Sequence, residues 1–177
     1  MKRIVLIVYL PAIFWLGSCN SGSEPVVEQP AATMADTVEA QVATEPDTTL
    51  QPVEEVALKA VGNSLEEMAF DQDTIEVKAG SLVRLVLINE GSEQSMIHNV
   101  VFTQADKHKL VALAGAKVGA PGNYVPDSEA VIAASPLALP GQTVEMEFTA
   151  PLEPGPYGFV CTYPGHWQKM NGVLLVK

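Results

Sequence analysis

Short runs in which apolar and polar residues alternate dominate the chain from about Val56 onward. In "TVEMEF", Val144, Met146 and Phe148 fall on one side and Glu145 and Glu147 on the other, the period-two pattern of a half-buried strand. "DTIEVKAG" sets Ile75 and Val77 on one face and ends at Gly80, and "SLVRLVLINEG" is a longer apolar strand closed by Asn-Glu-Gly. "PYGFVC" and "GVLLVK" read as two further strands near the C-terminus. Between these segments, Thr103 to Val118 carries Leu110, Val111, Leu113 and Ala114 at helical spacing, with Thr103 placed to cap it, and a Gly/Pro-rich loop follows through "GAPGNYVP". Seven or eight short strands with one helical insertion predict an all-β fold, a two-sheet antiparallel sandwich over residues 56–177.

The pattern is different before Val56. Residues 20–55 contain four prolines, no aromatic residue, eight acids and no base. Such a segment buries too little apolar surface to offset its ordering entropy, which predicts a disordered acidic tether with an r.m.s. span of about 30 to 36 Å. Ahead of it, Lys2 and Arg3 precede the apolar run Ile4–Leu16, interrupted by Pro11. The run is too short for a spanning helix and has the outline of a secretory signal. Its ending, Leu16-Gly17-Ser18-Cys19, resembles the lipobox of bacterial lipoproteins. That resemblance implies a signal over residues 1–18, acyl chains on Cys19 and a domain held by lipid on the envelope side of a bacterial membrane.

Charge removes one class of partner. The net charge is −11, and no basic patch marks a nucleic-acid surface. Cysteine use narrows the chemistry further: Cys19 and Cys161 are the only two in the chain. With Cys19 given to lipid, an exported domain keeps Cys161 without a disulfide partner.

Cys161 opens the stretch "CTYPGHWQKM", whose spacing is Cys-x4-His-x3-Met around a Pro164-Gly165 turn. With strands entering and leaving this loop, Cys161, His166 and Met170 converge at the sandwich rim, and "MIHNVVF" offers His98 from another rim loop. Each residue has an ordinary alternative: Met170 as core filler, His98 as a hydrogen-bonded loop residue, Cys161 as a small buried hydrophobe. Together they form a thiolate, two imidazoles and a thioether, a donor set that suits copper in an electron-transfer site. Zinc takes Cys and His as well, but not ordinarily thioether. A cysteine nucleophile with His166 as base remains the enzymatic alternative, although no oxyanion donor or third orienting group is apparent. A copper carrier that delivers its metal elsewhere is the other. His108, in "DKHKL" between two lysines, reads as a solvated helix residue.

"YGFVCTYPGHWQKMNGVLLVK" together with "MIHNVVF" resembles the azurin group of cupredoxins, which includes the auracyanins. The resemblance implies a cupredoxin-like Greek-key β-sandwich and a blue copper protein that shuttles single electrons and is not an enzyme. It implies His98, Cys161 and His166 as equatorial ligands of one Cu(I)/Cu(II) ion and Met170 as a weak axial ligand. The backbone carbonyl of Ile97 would stand opposite Met170, at a position where azurins typically have glycine. Asn99 would tie the ligand loops near the sulfur, with Thr162 as its neighbour. Partner contact would pass through the exposed edge of His166, ringed by Pro164, Trp167 and Ile97. Redox proteins such as c-type cytochromes or terminal reductases and oxidases are the expected partners of a monomeric domain. Two departures stand out: the remote disulfide common in azurins has no cysteines here, and Val100 replaces the buried tryptophan usual after the "HN" pair.

Overall fold

The alternating segments form the strands they predict. In the computed structural model, which describes residues 53–177, strand β4 (Leu82–Asn89) buries Val83, Leu85, Leu87 and Asn89 in turn. β3 (Thr74–Val77) buries Ile75 and Val77, and β7 (Thr143–Thr149) leaves Glu145 and Glu147 exposed while covering Phe148. β1 (Val53–Val61), β2 (Ala69–Phe70), β5 (Val101–Thr103), β6 (Val131–Ala134), β8 (Gly155–Val160) and β9 (Asn171–Val176) complete the set. The described residues thus hold nine strands, where seven or eight were expected; β2 is only a two-residue ladder on β1. β1 begins at Val53, ahead of the domain boundary expected at Val56. The leader over residues 1–18, Cys19 and the tether up to residue 52 lie outside the described residues.

Two sheets pack face to face. One has the order β2-β1-β4-β7 and the other β3-β9-β8-β5-β6. The sandwich is not wholly antiparallel, as the strand pattern had suggested: β1 pairs with β4 in parallel, and so does β3 with β9. A parallel pair needs a crossover connection, and the chain supplies one by visiting β3 in the opposite sheet between β1 and β4. Local alternation carries no information about that crossing.

Phenylalanines from both sheets meet in the interior. Phe148 of one sheet stacks on Phe102 of the other with ring centroids 4.5 Å apart, and Phe70 and Phe159 meet at 5.5 Å. Such pairs contribute about 0.5–1.5 kcal/mol each beyond their buried area.

The helical insertion is shorter than the sequence suggested. α1 spans His108–Val118, with Lys107 at its N-cap position and no side-chain cap. Thr103 does not cap it. It is the last residue of β5, fully buried, paired with Gly158 of β8, and its hydroxyl donates to the Gln104 carbonyl. A β-branched residue with ladder partners on both sides belongs to the sheet, and the chain turns into the helix only after Asp106, whose φ is 58°. α1 then lays Val111 and Ala112 against Val101 of β5 and Val160 of β8, which brings it alongside the strands that carry the candidate ligands.

Candidate metal centre

β5 and β8 are antiparallel neighbours with Val101 opposite Val160. His98, just before one strand, and Cys161, just after the other, therefore leave the sheet at the same end. His98 is fixed by a bridge to Ala138, each donating its N–H to the other's carbonyl at 3.1 and 2.7 Å. The Cys161 N–H donates to the Met170 carbonyl at 2.9 Å, closing the loop into β9. Within that loop the His166 N–H donates to the Tyr163 carbonyl, and the Lys169 and Met170 N–H groups both donate to the His166 carbonyl. Gly165 makes the turn possible at φ 85°, a conformation that side-chain-bearing residues seldom adopt.

These constraints bring three donor atoms together. Cys161 Sγ lies 3.9 Å from His98 Nδ1 and 3.8 Å from His166 Nδ1, and the two ring nitrogens are 3.2 Å apart. A point equidistant from all three sits about 2.1 Å from each, which is the range of imidazole and thiolate bonds to a first-row divalent ion. All three side chains are buried. Met170 is also fully buried and belongs to the same apolar cluster as Cys161, with its backbone at the closure of the loop. Ile97 stands half-buried immediately before His98.

Burial sets the protonation of the metal-free donors. It lowers the pKa of His98 to about 4, with the neighbouring His166 adding to the effect, and lowers His166 likewise to about 4. Both rings are neutral near pH 7 and present lone pairs. The same burial raises the Cys161 thiol to about 11, partly offset by the Asn99 and Tyr163 backbone N–H groups, which favour the thiolate. Two neutral imidazoles and one ionisable thiol match the preferences of copper.

Asn99 and Thr162 stand where they tie the two ligand loops. The Thr162 N–H donates to Asn99 Oδ1 at 2.9 Å, and Asn99 Nδ2 donates to Thr162 Oγ1 at 2.9 Å and to the Asn123 carbonyl at 3.2 Å. Asn89, read from the sequence only as the end of a strand, braces the other side: its Nδ2 donates to the carbonyls of Met96 and Ala138, the latter bridged to His98. A buried amide closing an apolar strand was the available signal.

Helix α1 also reaches the site. A side chain at Gly115 would collide with the Tyr124 carbonyl and would meet Thr162 Cβ at 3.3 Å. Tyr124, held at φ 57°, meets Tyr163 edge-on at 5.0 Å, and Tyr163 lies 4.9 Å from the His166 ring.

The residues of the expected rim differ in exposure. Pro164 is exposed, but His166 is only 1 % exposed, so its open edge is narrow. Trp167 is half-buried against the cluster of α1, β5 and β8, with Lys109 Nζ 5.5 Å from its ring centre. Leu139, next to the His98 bridge, and Leu65, in the loop whose Glu66 carbonyl receives Lys169, are exposed apolar residues that the sequence did not single out. His108 opens α1 half-buried, not fully solvated, and is no part of the donor cluster. Among the described residues no helix is long and apolar enough to cross a membrane.

Comparison with known proteins agrees with a copper-binding domain. Residues 56–177 match the family described as copper binding proteins of the plastocyanin/azurin type. Auracyanin-A of Chloroflexus aurantiacus is 39 % identical over 120 residues, covering 66 % of this chain and 72 % of the relative. An azurin of Pseudomonas fluorescens is 31 % identical over 125 residues, covering 67 % of this chain and 98 % of the relative. The solved structure of auracyanin A, described as a blue copper protein, superposes with a TM-score of 0.64 at 34 % identity over 71 % of this chain and all of that one. With a sandwich of the same fold carrying a buried His-Cys-His cluster at its rim, the chain belongs to the plastocyanin/azurin family of copper-binding proteins.

Proposed function

We propose that this blue copper electron-transfer protein is a tethered carrier of single electrons on the envelope side of a bacterial membrane. His98, Cys161 and His166 would hold one copper ion, with the Met170 thioether and the Ile97 carbonyl as further candidate donors. The observation that carries the ligand assignment is the buried triangle of His98 Nδ1, His166 Nδ1 and Cys161 Sγ. Copper supplies a one-electron couple between Cu(I) and Cu(II). The chain supplies the rest. The Asn99 to Thr162 clamp holds the two ligand loops in register. The Met170 carbonyl fixes the start of the loop at Cys161, and burial keeps water from the donors.

The reading assigns no substrate and no catalytic residue. Exchange is with redox proteins such as c-type cytochromes or terminal reductases and oxidases, through small, short-lived contacts. A leader over residues 1–18 and lipid on Cys19 would hold the domain near membrane-bound partners and raise its effective concentration there.

Copper(II) loading should give an intense blue thiolate-to-copper band, and Cys161→Ser should abolish it. A colourless product at full copper occupancy overturns the ligand assignment. Mass spectrometry of the N-terminal fragment from the envelope fraction should find acyl mass on Cys19, and an unmodified fragment overturns the anchor.

A further inference from the structure

The outer face of α1 joins positive charge to exposed apolar surface in a domain that is otherwise acidic. Lys107, Lys109 and Lys117 lie on or next to the helix, and no acid occurs between residues 107 and 118. Elsewhere Lys59, Arg84 and Lys177 are each matched to a glutamate, whereas the three helix lysines, like the isolated Lys78 and Lys169, make no ion pair among the described residues; what sets α1 apart is that its three lie together on or beside one helix. Leu110 and Leu113 are 55 % and 48 % exposed. With Lys109, Ala114, Lys117 and Asp106 they line an open groove of about 500 Å³. Asp106 is its one acid.

This face is close to the metal loop by two routes. The Gly115 backbone lies against Thr162, which is peptide-bonded to Cys161. Lys109 lies over Trp167, which is peptide-bonded to His166. Gly in a helix interior costs roughly 0.5–1 kcal/mol relative to Ala, and here it allows the helix to approach the ligand loop.

We propose that the α1 face is a docking surface for a redox partner whose contact patch is apolar and edged by aspartate and glutamate. Charge decides the occupant. An acidic partner is repelled by most of this net-negative domain and attracted to the lysines of α1, so the field selects that face and orients the encounter. Leu110 and Leu113 then supply the desolvated centre of a small, transient contact. The inference rests on the chain being an electron carrier, which the blue band and reversible redox cycling test separately.

The test uses the full-length chain, metal-free and copper-loaded, and a synthetic amphipathic peptide with a leucine stripe edged by glutamates. Amide shifts on binding to the metal-free chain should map to α1 and the Trp167 indole. The combined variant Lys107→Glu, Lys109→Glu, Lys117→Glu should weaken binding at least about tenfold at low salt, with less loss when salt screens the charges. Leu110→Ser with Leu113→Ser should weaken it while the copper-loaded variant stays blue. In the copper-loaded chain first reduced to Cu(I), oxidation by ferricyanide should slow more for Lys109→Glu than for Lys78→Glu, which changes net charge equally.

Shifts confined to Ile97, Leu139 and Pro164 overturn the proposal. So do equal binding of a peptide with lysines in place of its glutamates, equal slowing by Lys78→Glu, or concentration-dependent self-association that Leu110→Ser abolishes.

Discussion

Replacing Asn99 with alanine tests whether the ligand loops are held together by the clamp. The side chain is wholly buried. Its loss leaves the Thr162 N–H without the acceptor it had at 2.9 Å and the Thr162 hydroxyl without its partner at 2.9 Å. The Asn123 carbonyl also loses a donor, but Asn123 is exposed and water replaces that bond. Thr162 is buried, so its amide stays unpaired at a cost of about 1–3 kcal/mol. With the small cavity added, the loss is about 2–4 kcal/mol, a large fraction of a total stability of about 5–15 kcal/mol. Urea unfolding of the metal-free chain should show a lower midpoint with unchanged slope. Thr162→Val, combined with Asn99→Ala in a double-mutant cycle, should couple by at least about 0.5 kcal/mol. A loss under about 1 kcal/mol for Asn99→Ala, or simple additivity, refutes the clamp.

Gly115→Ala forces a methyl group into the Tyr124 carbonyl and should cost about 1–3 kcal/mol; thermal unfolding at or above the wild-type midpoint would mean that α1 is free to lift. Met170→Leu nearly conserves volume, so the fold should lose under about 1.5 kcal/mol while the chain stays blue and its potential moves, read by redox titration. An unmoved potential would exclude the thioether from the site. Metal-free stability should fall as pH drops from 6.5 towards 4. In that window His98 and His166 bind protons in the unfolded chain but not in the folded one, and chemical unfolding at both pH values reads the difference. Copper(II) loading at pH 7 should release close to one proton, because the Cys161 thiol is protonated there and the imidazoles are neutral. Calorimetry in buffers of different ionisation enthalpy measures it, and release of two or more protons would contradict the neutral rings.

The parts legible in the sequence were those encoded over a few residues. Half-buried strands alternate because their two faces meet different surroundings, and so β3, β4 and β7 fall where Ile75, Val83 and Phe148 predict. The Cys161, His166 and Met170 spacing is likewise contained in one loop. The long-range features were hidden. Nothing near Thr103 says that its β-branched side chain will be claimed by two ladder neighbours and not by a helix cap. Nothing near Val56 says that β1 will lie parallel to β4. Asn89, Gly115 and Tyr124 matter through segments far along the chain, so each looked like an ordinary strand end, helix glycine or loop residue.

These hidden residues share one consequence: the donor triangle is assembled by the fold itself. Burial disfavours the charged forms of all three donors, raising Cys161 and lowering His98 and His166. The fold therefore spends stability to hold groups that would each be better solvated in an open loop. What compensates is packing and hydrogen bonding outside the triangle: the Asn99 clamp on one side, the Asn89 brace on the other, and the Cys161 to Met170 closure beneath. A carrier that changes charge by one electron gains from donors fixed in this way, because little must rearrange when the electron arrives or leaves. Helix α1 presses on Thr162 to the same end. A loosely attached insertion would leave the cysteine end of the loop free to move, and the Gly115 contact removes that freedom.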